Sequence, residues 1–227
     1  MRLTALLLVL ASPATLAAGG TVVQLEGNAS ILRKGSTVTV AESTPVYTGD
    51  TLKVDDHSSA QVRFEDDSVF VLPGESSLRV DKFALGSGGN GGTALYTLLE
   101  GGVRTMTGKV SKGKGDRYEL RTPEAIIGVE GTAYMAMRCT GACAKKYREG
   151  LYVRVQAGKV LVGTATSKTT IKAGQTWYVK NKESAAVRVK DSPFDDPVLN
   201  AQFNVSVEFE AEIHPPRIEP EPVPSPS

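Results

Sequence analysis

The strongest constraint on this chain is a spacing it lacks. Beyond the first 18 residues, apolar side chains nowhere recur at helical spacing over three turns. They recur at period two instead. In SAQVRFE, Ala60, Val62 and Phe64 alternate with Gln61, Arg63 and Glu65, and in LYVRV, Leu151, Val153 and Val155 alternate with Tyr152 and Arg154. A strand sends successive side chains to opposite faces, so each run predicts a half-buried strand, with Tyr152 and Arg154 outward. Short β-branched or aromatic runs at 69–72, 160–162 and 176–179 end at turn residues such as Pro73-Gly74 and Ala157-Gly158. Many short strands at regular spacing predict an all-β fold. Only 96–99 offers the start of a short helix.

The chain divides by composition. Residues 1–18 carry Arg2, an apolar core and small residues at Ala17 and Ala18, the pattern of a cleaved signal peptide. That core is shorter than the roughly 20 apolar residues a membrane span needs, and no later stretch qualifies, so the mature protein is expected to be exported without a transmembrane segment. Residues 19–190 form the expected β domain, with a flexible loop at 86–92, GSGGNGG. Residues 191–213 form a C-terminal extension. Within it, 203–213 (FNVSVEFEAEI) alternates more regularly than any other stretch and predicts an edge strand with an acidic outer face. Residues 214–227 are proline-rich and predict an extended, disordered tail. Residues 44–54 and 122–135 echo each other (Thr-Pro, apolar stretch, Gly, new strand), which raises a repeated β unit stacked as a roll or short solenoid.

Charge is asymmetric. Residues 19–190 hold 24 Lys+Arg against 17 Asp+Glu, and 191–227 hold eight acids against Arg217 alone. Such a chain either docks its acidic end on itself or on a basic partner, or presents two solvated surfaces. Basic residues concentrate at Arg104, Lys109, Lys112 and Lys114, and again at Arg138, Lys145, Lys146 and Arg148. These define a candidate interaction surface. Export argues against nucleic acid and for an envelope protein, or an anionic or glycan envelope polymer.

Catalytic groups are sparse. The histidines are His57, in the turn DDHSS, and His214, beside the prolines. Asp55, Asp56, Ser58 and Ser59 supply triad residue types around His57, but sequence neighbours on a turn rarely converge, so a polar turn is expected. Asp55-Asp56 and Glu65-Asp66-Asp67 read as solvated turns without calcium-loop spacing. No enzyme activity, cofactor or metal is expected. Cys139 and Cys143, the only cysteines, predict a disulfide at a hairpin tip ahead of the Tyr152 strand.

The stretch RTPEAIIGVEGTAYMAM (121–137) poses a choice between a phosphate cradle and a turn. No helix pattern follows Gly131, so a turn is favoured. Pro123 biases Thr122 to extended backbone, Gly128 and Gly131 turn the chain, and Thr132 bonds locally. Together with residues 46–83, LLEGGVRTMTGK (98–109), YELRTPEAIIGVEGTAYMAM (118–137) and 155–179, this block resembles the FecR domain family over about residues 46–180. The resemblance implies an all-β, periplasmic, non-enzymatic domain of β-solenoid character used in protein interaction and signalling. Two positions depart from it: Asp66-Asp67-Ser68 stands where Asp-Gly-Ser is usual, and Glu130 where a basic residue is common. A cleavable signal is expected in place of the family's anti-sigma segment and membrane span. The expected role is a periplasmic protein-interaction or signalling module. A carbohydrate- or peptidoglycan-binding module is the alternative, if Tyr96, Tyr118, Tyr147, Tyr152 and Trp177 stand exposed rather than in the core.

Overall fold

The computed structural model describes residues 18–87 and 91–203. In chain order the strands are β1 (Gly20–Glu26), β2 (Ala29–Arg33), β3 (Ser36–Thr39), β4 (Pro45–Val46), β5 (Thr51–Val54), β6 (Ser59–Phe64), β7 (Val69–Leu72), β8 (Ser76–Ala84), β9 (Thr93–Glu100), β10 (Gly102–Met106), β11 (Arg117–Arg121), β12 (Ile126–Val129), β13 (Ala133–Cys139), β14 (Gly150–Ala157), β15 (Lys159–Gly163), β16 (Lys168–Lys172), β17 (Thr176–Val179) and β18 (Val187–Val189). One α-helix, α1 (Pro197–Ala201), is described near the end. The all-β expectation holds. The stretch 96–99 lies inside β9 and is not helical.

The strands form two nine-stranded sheets. The first runs β18-β17-β14-β13-β10-β7-β6-β1-β4 and the second β16-β15-β12-β11-β9-β8-β5-β2-β3. The chain crosses repeatedly between them and advances along both in the same direction. Among the described strands the pairings are antiparallel except β9 with β11, which run parallel because β10 crosses to the first sheet between them. One apolar core lies between the sheets. Val62, Phe70, Tyr134 and Val153 of the first meet Leu52, Tyr96, Leu120 and Val162 of the second. The two Thr-Pro stretches are not equivalent. Residues 45–46 pair in the first sheet before the chain enters the second, whereas 122–125 turn within the second before it crosses to the first.

The first sheet also carries a second apolar layer on its outer side. Met135, Met137, Cys139, Tyr152 and Tyr178 pack there under Phe194 and Phe203. Tyr152 is therefore buried, against the outward placement its alternation predicts: LYVRV is covered on both faces. Phe194 and Phe203 come from the chain after 190, which turns at Pro193–Asp195 and forms α1. Asp196 caps that helix by accepting from Val198 N at 2.9 Å, with Pro197 at its first position. The signal-peptide pattern of residues 1–17, the centre of the Gly-rich loop (88–90), the predicted strand beyond Phe203, the Pro-rich tail and His214 lie outside the described residues.

Candidate interaction surface

The 121–137 stretch forms two turns and two strands. Thr122 Oγ1 accepts from Glu124 N and Ala125 N, both at 3.1 Å, closing the turn from β11 into β12. Gly131 lies at φ +59° between β12 and β13, where a side chain strains the backbone. Thr132 is buried. Its Oγ1 donates to Lys159 O at 2.7 Å, and its N–H donates to Thr107 Oγ1 at 2.9 Å. Gly128 departs from expectation. It sits inside β12 at an ordinary strand geometry, paired with Glu119 on one side and Leu161 on the other. It makes no turn, and a Cβ there would meet nothing closer than 4.0 Å.

Gly128 matters instead for what it leaves open. On the outer face of the second sheet, β12 and β15 pair Ile126 with Gly163 and Gly128 with Leu161. Each large apolar side chain thus stands opposite a glycine, and the two are diagonal neighbours on one face. Ile126 is 47% exposed and Leu161 45%. Beside Leu161 opens a cleft of about 470 Å³ with Gly128 in its wall and Arg117, Glu130, Lys159 and Thr170 around it. Lys159 pairs with Glu130 at 3.2 Å, and Arg117 and Arg121 both pair with Glu119, at 2.8 and 2.7 Å. Lys168 and Lys172, opposite Gly163 and Lys159, extend the rim. The result is an apolar centre with a charged, mainly basic border.

The sequence-predicted basic surface is only partly a surface. Arg104 is 2% exposed and donates from Nε to Gln156 Oε1 at 3.1 Å. Its Nη1 also donates to Phe203 O at 3.5 Å, so this guanidinium is held inside and is not part of an exposed basic surface. Arg138 is half-buried and clamps Glu124 through Nε and Nη2, with Nη1 donating to Leu99 O. It anchors the Thr122 turn. Lys109, Lys112, Lys114, Lys145, Lys146 and Arg148 are exposed, in two separate loops. Lys109 pairs with Asp67 at 2.7 Å, and Arg148 stacks over Tyr178 at 4.3 Å. Lys146 pairs with Asp196 at 2.5 Å. With Arg154–Asp195 at 2.6 Å, that contact docks the acidic segment after 190 onto the basic body. The Cys139–Cys143 disulfide is formed, with Cα atoms 5.1 Å apart, at the β13–β14 tip beside Lys146.

The remaining candidates resolve cleanly. Tyr96, Tyr118 and Tyr152 are buried, Trp177 is packed against the shared core and Tyr147 against the outer layer. Tyr118 and Tyr134 hydroxyls meet at 3.0 Å in the core. Burial pushes the phenols of Tyr96, Tyr118 and Tyr134 well up, so they stay neutral. His57 points to solvent beside Asp56, while Ser58 Oγ accepts from Asn28 N and donates to Asp56 O, so neither neighbouring serine engages it. Asp66 is not a solvated turn residue. It is 1% exposed and accepts from Ser68 Oγ at 2.6 Å, Ser68 N at 3.1 Å and Val110 N at 3.2 Å. Only its partners' placement reveals this, and no local sequence signal does. Among the described residues no three metal-ligating side chains cluster, and no helix is long and apolar enough to cross a membrane.

The model of the FecR protein family matches residues 50–161, just under half of the chain. No curated protein matched the chain. Two crystal structures of a candidate anti-sigma factor from Parabacteroides distasonis, at 1.65 and 2.50 Å resolution, are each similar at 19% identity and a TM-score of 0.47. The similarity covers 63% of this chain and 60% of that one, less than two thirds of the relative's length.

Proposed function

With residues 50–161 a FecR domain, we propose that the chain is an exported, periplasmic, non-enzymatic module that binds an envelope protein through the outer face of its second sheet. The signal-peptide pattern and the disulfide support export, since disulfides persist in oxidising compartments. The joint advance of both sheets along the chain supports reading the fold as a β-roll.

The observation that carries the partner reading is the pair Ile126 and Leu161, each exposed and each facing a glycine. Two neighbouring apolar side chains kept in water on a sheet face next to a cleft cost solubility unless something covers them. An apolar centre inside a charged border is the anatomy of a protein interface. The border's surplus of Lys and Arg favours a partner segment with apolar side chains flanked by acids. A signalling role follows if that contact is regulated. The glycan or peptidoglycan reading is less well supported, because Tyr96, Tyr118 and Tyr152 are buried and only Tyr147 and Trp177 are partly exposed.

The test compares capture from envelope extract under gentle crosslinking by the wild type, Leu161→Asp and Gly128→Val, with Lys145→Glu as a control on the far loop. A species captured by wild type and control but lost from both cleft variants, at unchanged melting temperature, is the expected result. Capture indifferent to Leu161 and Gly128, or none that is specific, would refute the reading.

A further inference from the structure

We infer that β3 is an open sheet edge that joins a second copy of this chain, strand to antiparallel strand, across a two-fold axis at Val38. β3 ends the second sheet at the side away from Ile126 and Leu161, so this contact and the partner contact above are independent.

The two sheets end in four edge strands, and three of them are guarded. β4 is two residues long and begins with Pro45, β18 is three residues long with Arg188 at its centre, and β16 has Lys168 and Lys172 at its ends. Short length, proline and charge are what keep sheet edges from pairing. β3 reads Ser-Thr-Val-Thr, without charge or proline, and is exposed at Ser36, Thr37 and Thr39.

The turn ahead of β3 fixes which backbone groups face the edge. Lys34 (φ +48°) and Gly35 (φ +82°) are both left-handed and join Arg33 to Ser36 in a two-residue turn, so those flanking residues form a hydrogen-bonded pair. Along an antiparallel ladder such pairs alternate. Ser36 and Val38 therefore turn N–H and C=O toward β2, as does Val40, whose N–H donates to Ala29 O at 3.1 Å. Thr37 and Thr39 turn theirs to the edge, where among the described residues no strand meets them. Ala41 closes that edge: its N–H donates to Thr44 Oγ1 at 2.9 Å and its C=O accepts from Thr44 N at 3.1 Å.

The free groups match a second copy of themselves. Facing Thr37 of one copy with Thr39 of the other, and the reverse, satisfies all of them. Val38 then meets Val38 at the non-hydrogen-bonded position, where side chains come closest. Val38 is half-buried at the margin of the core, so the contact covers the core's open end. The same register brings Lys34 of each copy to Glu42 of the other. Both are exposed, and neither has an ion-pair partner among the described residues. An axis at Thr37 or Thr39 would instead face a free threonine with Gly35 in the turn or with Ala41, whose groups are spent. So short a strand makes a small interface and a weak, concentration-dependent dimer.

Sedimentation of the full chain, up to millimolar concentration, tests the contact. The wild type is expected to pass from monomer to dimer as concentration rises. Thr37→Pro removes an edge N–H that the monomer does not use, and should stay monomeric. Lys34→Glu and Glu42→Lys should each weaken dimerisation several-fold. Mixed together they should recover it as a heterodimer, because only then does each charge meet its opposite. These two variants read the register even where the proline disturbs folding. A wild type that stays monomeric throughout, a dimer indifferent to a folded Thr37→Pro, or a mixture that associates no better than its components would overturn the inference.

Discussion

Arg33 and Asp50 make a two-point contact, with Nε donating to Oδ1 at 2.9 Å and Nη2 to Oδ2 at 2.7 Å. It ties β2 to the turn ahead of β5. Asp50 is buried, and its Oδ2 also accepts from Tyr47 N at 2.9 Å. Removing the carboxylate orphans three donors at once. Asp50→Ala is therefore expected to cost about 2–4 kcal/mol, and Asp50→Asn about half that, because one acceptor survives. Chemical denaturation of both variants measures this. A cost below about 1 kcal/mol for the alanine variant would show that water replaces the carboxylate.

Asp66 and Asp67 are adjacent acids with opposite expected effects. Asp66 holds Ser68 and, across 44 residues, Val110 N. Asp66→Ala should lose about 2–3 kcal/mol, the cost of leaving buried donors unmade. Asp67 is exposed at φ +67°, a conformation glycine adopts freely, and its Lys109 partner is exposed too. The FecR resemblance places glycine there. Asp67→Gly should be neutral or stabilise by up to about 1 kcal/mol, with relieved backbone strain set against lost chain stiffness and a weak surface pair. Thermal melting of the two single variants decides. Shifts of the same sign would contradict the assignment.

The strands were legible because alternation reports one covered face. The reading failed where both faces are covered. VFVL at β7 is buried throughout, and Tyr152 lies under Phe194 and Phe203, which no local pattern near Tyr152 announces. Arg104 looked like surface because it is charged, yet its neighbours Gly102, Val103 and Thr105 are all buried, and that apolar context was the available clue. Gly128 looked like a turn because glycine usually is one. Only the register against Leu161 shows it as a gap in a sheet. The Asp196-Pro197 cap was visible in the sequence, but a five-residue helix has no period to detect. The disulfide needed only an even cysteine count and a signal-peptide pattern in the sequence.

That disulfide should stabilise modestly. It closes a ring of few residues, and chain entropy for so short a loop gives about 2 kcal/mol. Cys139 is buried in the outer layer, so the effect should concentrate there. The Cys139→Ala/Cys143→Ala variant is expected to fold, to lose about 2 kcal/mol in urea, and to be cleaved faster within 191–203 by a non-specific protease. Failure to fold would mean that the tip nucleates β13 with β14. Unchanged cleavage would separate the bridge from the docking of the C-terminal segment.

The same docking should respond to pH in a defined direction. The Lys146 ammonium holds Asp196 below the usual carboxylate range. Asp195 is also held low: burial works against it, but the Arg154 guanidinium and Ser192 outweigh that cost. A carboxylate whose folded pKa is depressed contributes stability that is fully present above its unfolded value, about 3.9, and is lost as pH falls through the lower folded value. The partner runs the other way. Asp196 raises the Lys146 pKa, so that contribution is present below the ordinary lysine value and fades as pH rises past it. Between these limits the contact is insensitive to pH. Asp195→Asn/Asp196→Asn should therefore melt below the wild type at pH 7, with the gap closing between pH 4 and pH 2 as the wild-type carboxylates take up protons. Melting curves for the two proteins across that range provide the measurement. A gap that stays constant down to pH 2 would mean that the contribution does not depend on ionisation of the two carboxylates and so does not come from the two ion pairs.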